Sequence, residues 1–143
     1  MFLAGSCATS ERPLGEDERV SLTLWSASTD RRYTYMELSE LGELSFAGGQ
    51  EAARREAQPV LTLTSEQLDR VRAILDEHGL SNVPSPGWDK ENRVRYELRL
   101  RRTGLAGRTI RTGDDRTPGM RELHDYLFAL QAEKRYRVPV AGG

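Results

Sequence analysis

"RVRYELRLRR" (93–102), with "TGLAG" (103–107) and "RTIRT" (108–112) behind it, decides the fold. Val94, Tyr96, Leu98 and Leu100 alternate with Arg95, Glu97, Arg99 and Arg101, the two-residue period of a strand with one apolar and one charged face. A short turn carrying two glycines then sends the chain back as a second strand. Strands joined so closely must be antiparallel, because a parallel pair needs a crossover of a dozen residues or more. Their apolar face in turn requires a covering layer.

That layer is announced upstream by "LTSEQLDRVRAILDEHGL" (63–80). Thr64 is an N-cap, Gln67 completes a capping box with it, and Leu63 and Leu68 stand at the spacing of a hydrophobic staple. Leu68, Val71, Ile74, Leu75 and His78 fall on one side at helical spacing. Gly79 and Leu80 suit a Schellman ending. A second helix is expected after "GDDR" (113–116), with Thr117 as N-cap, Pro118 at its first position and Met120, Leu123, Leu127 and Leu130 as its buried stripe, Tyr126 at the edge.

Earlier in the chain "VSLTLWSA" (20–27), "RYTYMEL" (32–38) and "GELSF" (42–46) read as an antiparallel meander, with Gly42 in a tight reversal. Val20, Leu22 and Leu24 share one face, as do Thr34, Met36 and Leu38; Ser21, Thr23, Trp25, Tyr33 and Tyr35 take the other. "PVLTLT" (59–64) adds a strand, and residues 47–58 read as a loop with room for one helical turn. The sum is an α+β fold: an antiparallel sheet of about five to six strands, two helices packed on one face, the other face open to water and lined by arginine, glutamate and tyrosine. Strand order is not fixed by this pattern. The expected organisation is an N-terminal segment (1–17) serving as a flexible tether, one domain over 18–138 and a flexible tail (139–143).

Composition narrows the chemistry. The 143 residues include 37% hydrophobic and 30% charged side chains, and the mean hydropathy is -0.63, so a small core lies under a charged surface. A formal net charge of -1 gives no whole-chain attraction to nucleic acid or anionic membrane. One cysteine and two histidines cannot build a Cys/His zinc site, and neither a metal nor another cofactor is expected. His78 reads as a structural residue in the last turn of its helix, and Asp114 and Asp115 as turn formers near a helix start. His124 and Asp125 are adjacent on a helix, where side chains diverge by about 100°, so no catalytic dyad is expected there.

The most distinctive surface is the hairpin. Between residues 93 and 121 nine arginines face three acids, a local balance of +6. Arg95, Arg99, Arg101, Arg108 and Arg111 are its candidate anion- or partner-binding residues. The competing reading is a solvated face whose arginines pair with Glu37, Glu40 or Glu43. Nucleic acid is not the expected partner, since Trp25, Tyr33 and Tyr35 are the few aromatics available for stacking.

The first residues, "MFLAGSCATS" (1–10), hold the only cysteine. "LAGSC" (3–7) resembles the box at which bacterial lipoproteins receive lipid on cysteine, which implies Cys7 as a lipidation site and "ATSERPLGEDE" (8–18) as the tether behind it. A cleaved export signal and an ordinary N-terminal stretch remain open alternatives. Beyond this box, "YTYMELSELGELSF" (33–46), "LTLTSEQLDRVRAIL" (61–75), "YELRLRR" (96–102) and "MRELHDYL" (120–127) together resemble small α+β domains of unassigned function in bacterial lipoproteins and secreted proteins. The resemblance spans about residues 18 to 133, implies export and brings no catalytic residues with it. The leading expectation is a non-enzymatic, envelope-associated binding or interaction module with a membrane tether at Cys7 and a protein partner on the open sheet face. The alternative is a cytoplasmic domain binding an anionic partner, nucleic acid or acidic protein, through the arginine-rich hairpin. An enzyme is least favoured, because no nucleophile, base and oxyanion donor come together.

Overall fold

The computed structural model describes residues 19–142 apart from residue 31, with side chains described as far as Lys134. Cys7 and the rest of residues 1–17 lie outside the described residues. Six strands form one antiparallel sheet: β1 (Val20–Ser28), β2 (Tyr33–Leu38), β3 (Glu43–Gly48), β4 (Gln58–Thr62), β5 (Val94–Arg102) and β6 (Arg108–Gly113), in the spatial order β4-β3-β2-β1-β5-β6. Three helices accompany it: α1 (Gly49–Ala53), α2 (Ser65–Glu77) and α3 (Met120–Gly142). The architecture is the expected α+β one. The order also places β1 centrally, paired with β2 on one side and β5 on the other.

Strand period sets the core. Leu22 and Leu24 of β1 stand in register with Leu38 and Met36 of β2 and with Leu100 and Leu98 of β5. All six are 3% exposed or less, as are Leu44, Ile110, Val71, Ile74 and Leu75, so α2 closes on a continuous apolar floor. Each buried leucine or isoleucine stabilises the fold by about 1.5–3 kcal/mol relative to an exposed one. The start of α2 is built as its sequence requires: Thr64 Oγ1 accepts from the Gln67 N–H at 3.1 Å and Gln67 Oε1 from the Thr64 N–H at 2.8 Å. At its end the Leu80 N–H donates to Leu75 O at 2.9 Å while Gly79 takes a φ of +62°, the Schellman arrangement.

Two local expectations are corrected. Thr117 does not cap α3: its hydroxyl donates to Thr112 Oγ1 at 2.7 Å on β6, and the helix begins at Met120, after Gly119 at a φ of +92°. A Cβ on Gly119 would stand 2.5 Å from His78, so the turn into α3 is pressed directly onto the end of α2. Asp114, with a φ of 50°, serves β5 rather than a helix: its Oδ1 accepts from the Arg93 and Val94 N–H groups at 2.9 and 3.0 Å. α3 itself runs from Met120 to Gly142.

The sheet has two free margins. At β6 the Arg111 N–H donates to Ser85 Oγ at 2.8 Å and the Gly87 N–H donates to Arg111 O at 2.7 Å, so the connection from α2 to β5 straps the outer side of that strand. β4 is five residues long and contains Pro59, which has no N–H to offer.

Candidate functional site

Alternation along the strands sends a second set of side chains to the face away from α2 and α3, and register arranges them in rows. Ala47, Tyr35, Trp25, Glu97 and Arg111 form one row across β3, β2, β1, β5 and β6. The next row is Ser45, Glu37, Thr23, Arg99 and Thr109, and beyond it Ser21 stands beside Arg101. The first row is covered and the others are not. This divides the face into two halves of different chemistry.

The covered half corrects the expectation of a wholly open face. α1 lays Ala52, fully buried, against Tyr35 and Ala47, with Trp25, Tyr33 and Ala57 packed around them. From the other side the loop before β5 brings Trp88, whose ring lies 5.6 Å from Trp25 and whose Nε1–H donates to Tyr96 O at 2.9 Å. Beneath this cover Glu97 is only 2% exposed. A carboxylate so placed needs cations, and it has them. Arg55 donates to Oε1 at 2.5 Å, Arg111 Nε to Oε2 at 2.7 Å, and Arg99 Nε lies 3.5 Å from Oε1. Burial alone would raise the Glu97 carboxyl, but the hydrogen bonds and charges of Arg55 and Arg111 outweigh it and hold the group below the ordinary glutamate value. Arg55 and Arg111 also lie over the Trp25 and Trp88 rings at 5.3 and 5.6 Å. Burial, then the hydrogen bond to Glu37 at 2.8 Å, raises the Tyr35 hydroxyl to about 12.

Arg55 is the residue that sequence reasoning missed. It sits just after α1 at a φ of 60°, a conformation costing a non-glycine residue about 1–2 kcal/mol. Its ion pair and its ring contact offset that cost. Residues 47–58 have no apolar stripe because α1 packs through a single alanine, so periodicity carries no trace of the arrangement.

The open half is a shallow polar groove of about 340 Å³ running over β3, β2, β1 and β5. Ser45, Glu37, Thr23 and Ser21 line its floor, Arg99 and Arg101 its β5 wall, and Glu43 its far side. Of the hairpin arginines, Arg99 and Arg101 are exposed here, and among the described residues Arg101 has no acidic partner. Arg95 lies half-buried on the same face opposite Ala27, and Arg111 is engaged with Glu97. Arg108 is on the opposite face, in register with Leu100, where it donates to Ser81 O and Val83 O and fastens the loop after α2. The five candidates therefore do not form one patch. The solvated-face partners also differ: Glu97 gathers the arginines, Glu40 pairs with Arg19 at 3.4 Å, and Glu37 takes the Tyr35 hydroxyl.

Two histidine clusters lie elsewhere. Asp125 Oδ1 is 3.0 Å from His124 Nδ1, which overturns the geometric ground for separating them: the exposed carboxylate bends back to its neighbour. His124 Nε2 stands 2.9 Å from Thr34 Oγ1, itself 2.6 Å from Ser26 Oγ. Ser26 is 6% exposed beneath α3, and the imidazole is held between Phe128 and Tyr96, so the chain of polar atoms ties α3 to β1 and β2. Also near the start of α3, His78 Nε2 at the end of α2 meets Glu122 Oε1 at 2.9 Å. With Glu77 these offer three ligand atoms within 4.8 Å of one another, but Arg70 already neutralises Glu122 at 2.9 Å. It is an ion-paired clasp between two helices. No helix among the described residues is long and apolar enough to cross a membrane. The sequence matches no protein-family model and no curated protein.

Proposed function

We propose that the chain is a non-enzymatic binding module that takes an acidic polypeptide segment along the open half of its second sheet face. The observation that carries this is the groove itself: Arg99 and Arg101, exposed, stand on its β5 side beside Ser21 and Thr23 hydroxyls, while Glu37, facing them from β2, is held by the Tyr35 hydroxyl. Guanidinium groups bind carboxylates through paired N–H donors, and hydroxyls both donate to and accept from a peptide backbone. Polynucleotide fits less well. Stacking platforms are wanted for it, and Trp25, Tyr33 and Tyr35 lie in the covered half. Location at the cell envelope, with Cys7 as a lipid tether, belongs to the same proposal and is supported by the "LAGSC" resemblance.

A titration followed by fluorescence anisotropy tests the reading, using labelled oligoglutamate and single- and double-stranded oligonucleotides at physiological salt. Oligoglutamate is expected to bind, to weaken as salt rises and to lose affinity about tenfold or more in the Arg99→Glu/Arg101→Glu protein. Oligonucleotides are expected to bind more weakly than about 10 μM, well short of specific recognition. Sub-micromolar oligonucleotide binding, or oligoglutamate binding indifferent to both substitutions, sinks the proposal.

A further inference from the structure

One end of the sheet gathers two exposed leucines and a second cleft beyond the groove, with Arg101 common to both. The turn between β2 and β3 presents Leu41, 82% exposed, and the turn between β5 and β6 presents Leu105, 53% exposed. Both turns lie at the end where β1 begins, and the strand order puts β1 between them. The two leucines thus stand about three strand spacings apart, roughly 14 Å. Between them is a cleft of about 230 Å³ bordered by Arg19, Glu40, Arg101, Arg102 and Leu105. The Arg19 N–H donates to Thr103 Oγ1 at 2.9 Å and the Thr103 N–H to Arg19 O at 3.0 Å, so the chain joins the sheet fixed at the middle of this end.

We infer that this end docks on an anionic phospholipid surface, the two leucines entering the boundary between headgroups and acyl chains and the cleft receiving a phosphate. Isolated exposed leucines are ordinary, but two at the crests of neighbouring hairpins with cationic side chains between them match the layering of a bilayer surface: apolar points below, phosphate level above. Arg101 supplies a cation without an acidic partner among the described residues, and Arg19, 3.4 Å from Glu40, lies beside it in the same cleft. The position of Cys7 agrees. It precedes Arg19 by twelve residues, a span of at most about 43 Å, so a chain held to lipid there can bring this end to the surface. The inference shares Arg101 and the envelope setting with the groove proposal, and it needs no lipidation.

Flotation of the full chain with vesicles tests it, comparing phosphatidylglycerol/phosphatidylethanolamine (3:7) with pure phosphatidylcholine. Partition onto the anionic vesicles is expected, with at least a tenfold fall in the Leu41→Ser/Leu105→Ser protein, whose melting temperature should be unchanged because both positions are exposed. That variant should still bind oligoglutamate, which separates this surface from the groove. In Leu105→Trp, emission should shift to the blue on anionic vesicles and be quenched by brominated acyl chains. Equal partition of the wild-type and double-serine proteins, or no partition of the wild type, overturns the inference; so does a Leu105→Trp emission that vesicles leave unmoved.

Discussion

Glu97 is a carboxylate that alternation alone assigns to the solvent, and its burial makes it the most informative single residue. Its carboxyl titrates below the ordinary value in the folded chain, so as pH falls the unfolded chain takes up the proton first. The stabilisation it gives is complete above the ordinary glutamate value of about 4.3 and is lost as pH drops through the lower folded value. Melting temperatures measured down through this window should fall more steeply for the wild type than for Glu97→Gln. A slope remains in the variant, because backbone N–H groups of Val94 and Arg93 also hold Asp114 below its ordinary value. At neutral pH Glu97→Gln should cost about 1–3 kcal/mol, less than a fully buried pair, because Arg55 and Arg111 are 34% and 48% exposed. Two glycines make a further test. Gly79 and Gly119 both have positive φ, yet a Cβ meets nothing within 4 Å at Gly79 and meets His78 at 2.5 Å at Gly119. Denaturant unfolding should therefore show Gly79→Ala losing about 1 kcal/mol and Gly119→Ala clearly more.

Among the elements, α2 is legible from its letters because every signal for it is local: capping box, staple, apolar spacing and closing glycine all lie within residues 63–80. Leu75, fully buried in the last turn of α2, should cost about 2–5 kcal/mol when changed to alanine. A loss below about 0.5 kcal/mol in denaturant titration would place its side chain outside the core. The start of α3 shows the opposite case. Thr117 has the right residue type for a cap, but β6 offers it Thr112 across the turn, and that partner is invisible to a reading of neighbours. The candidate site divides in the same way. Face assignments for Thr23, Arg99 and Arg101 follow from a period of two, whereas Arg108 falls on the other face because the turn at 103–107 sets its parity. The cover over Trp25 depends on Arg55 and Trp88, which reach it from segments without any period.

At the scale of the whole molecule, β1 and β5 are each paired along both sides while β4 and β6 have one sheet neighbour each. Hydrogen exchange should therefore be slowest for amides in β1 and β5, Leu24 and Leu98 among them, and faster in β4. The reverse order would mean that the sheet opens from its middle. Protection at β6 should exceed that at β4, since Ser85 and Gly87 occupy the outer side of Arg111. That strap has a consequence for how the chain behaves among many copies of itself. An identical strand arriving at β6 finds the backbone of Arg111 already engaged, and one arriving at β4 meets a proline and a short run of partners. Templated growth into cross-β fibres from β6 must then wait for residues 85–87 to peel away, so its onset at that edge is governed by the opening of one loop rather than by how often two chains collide.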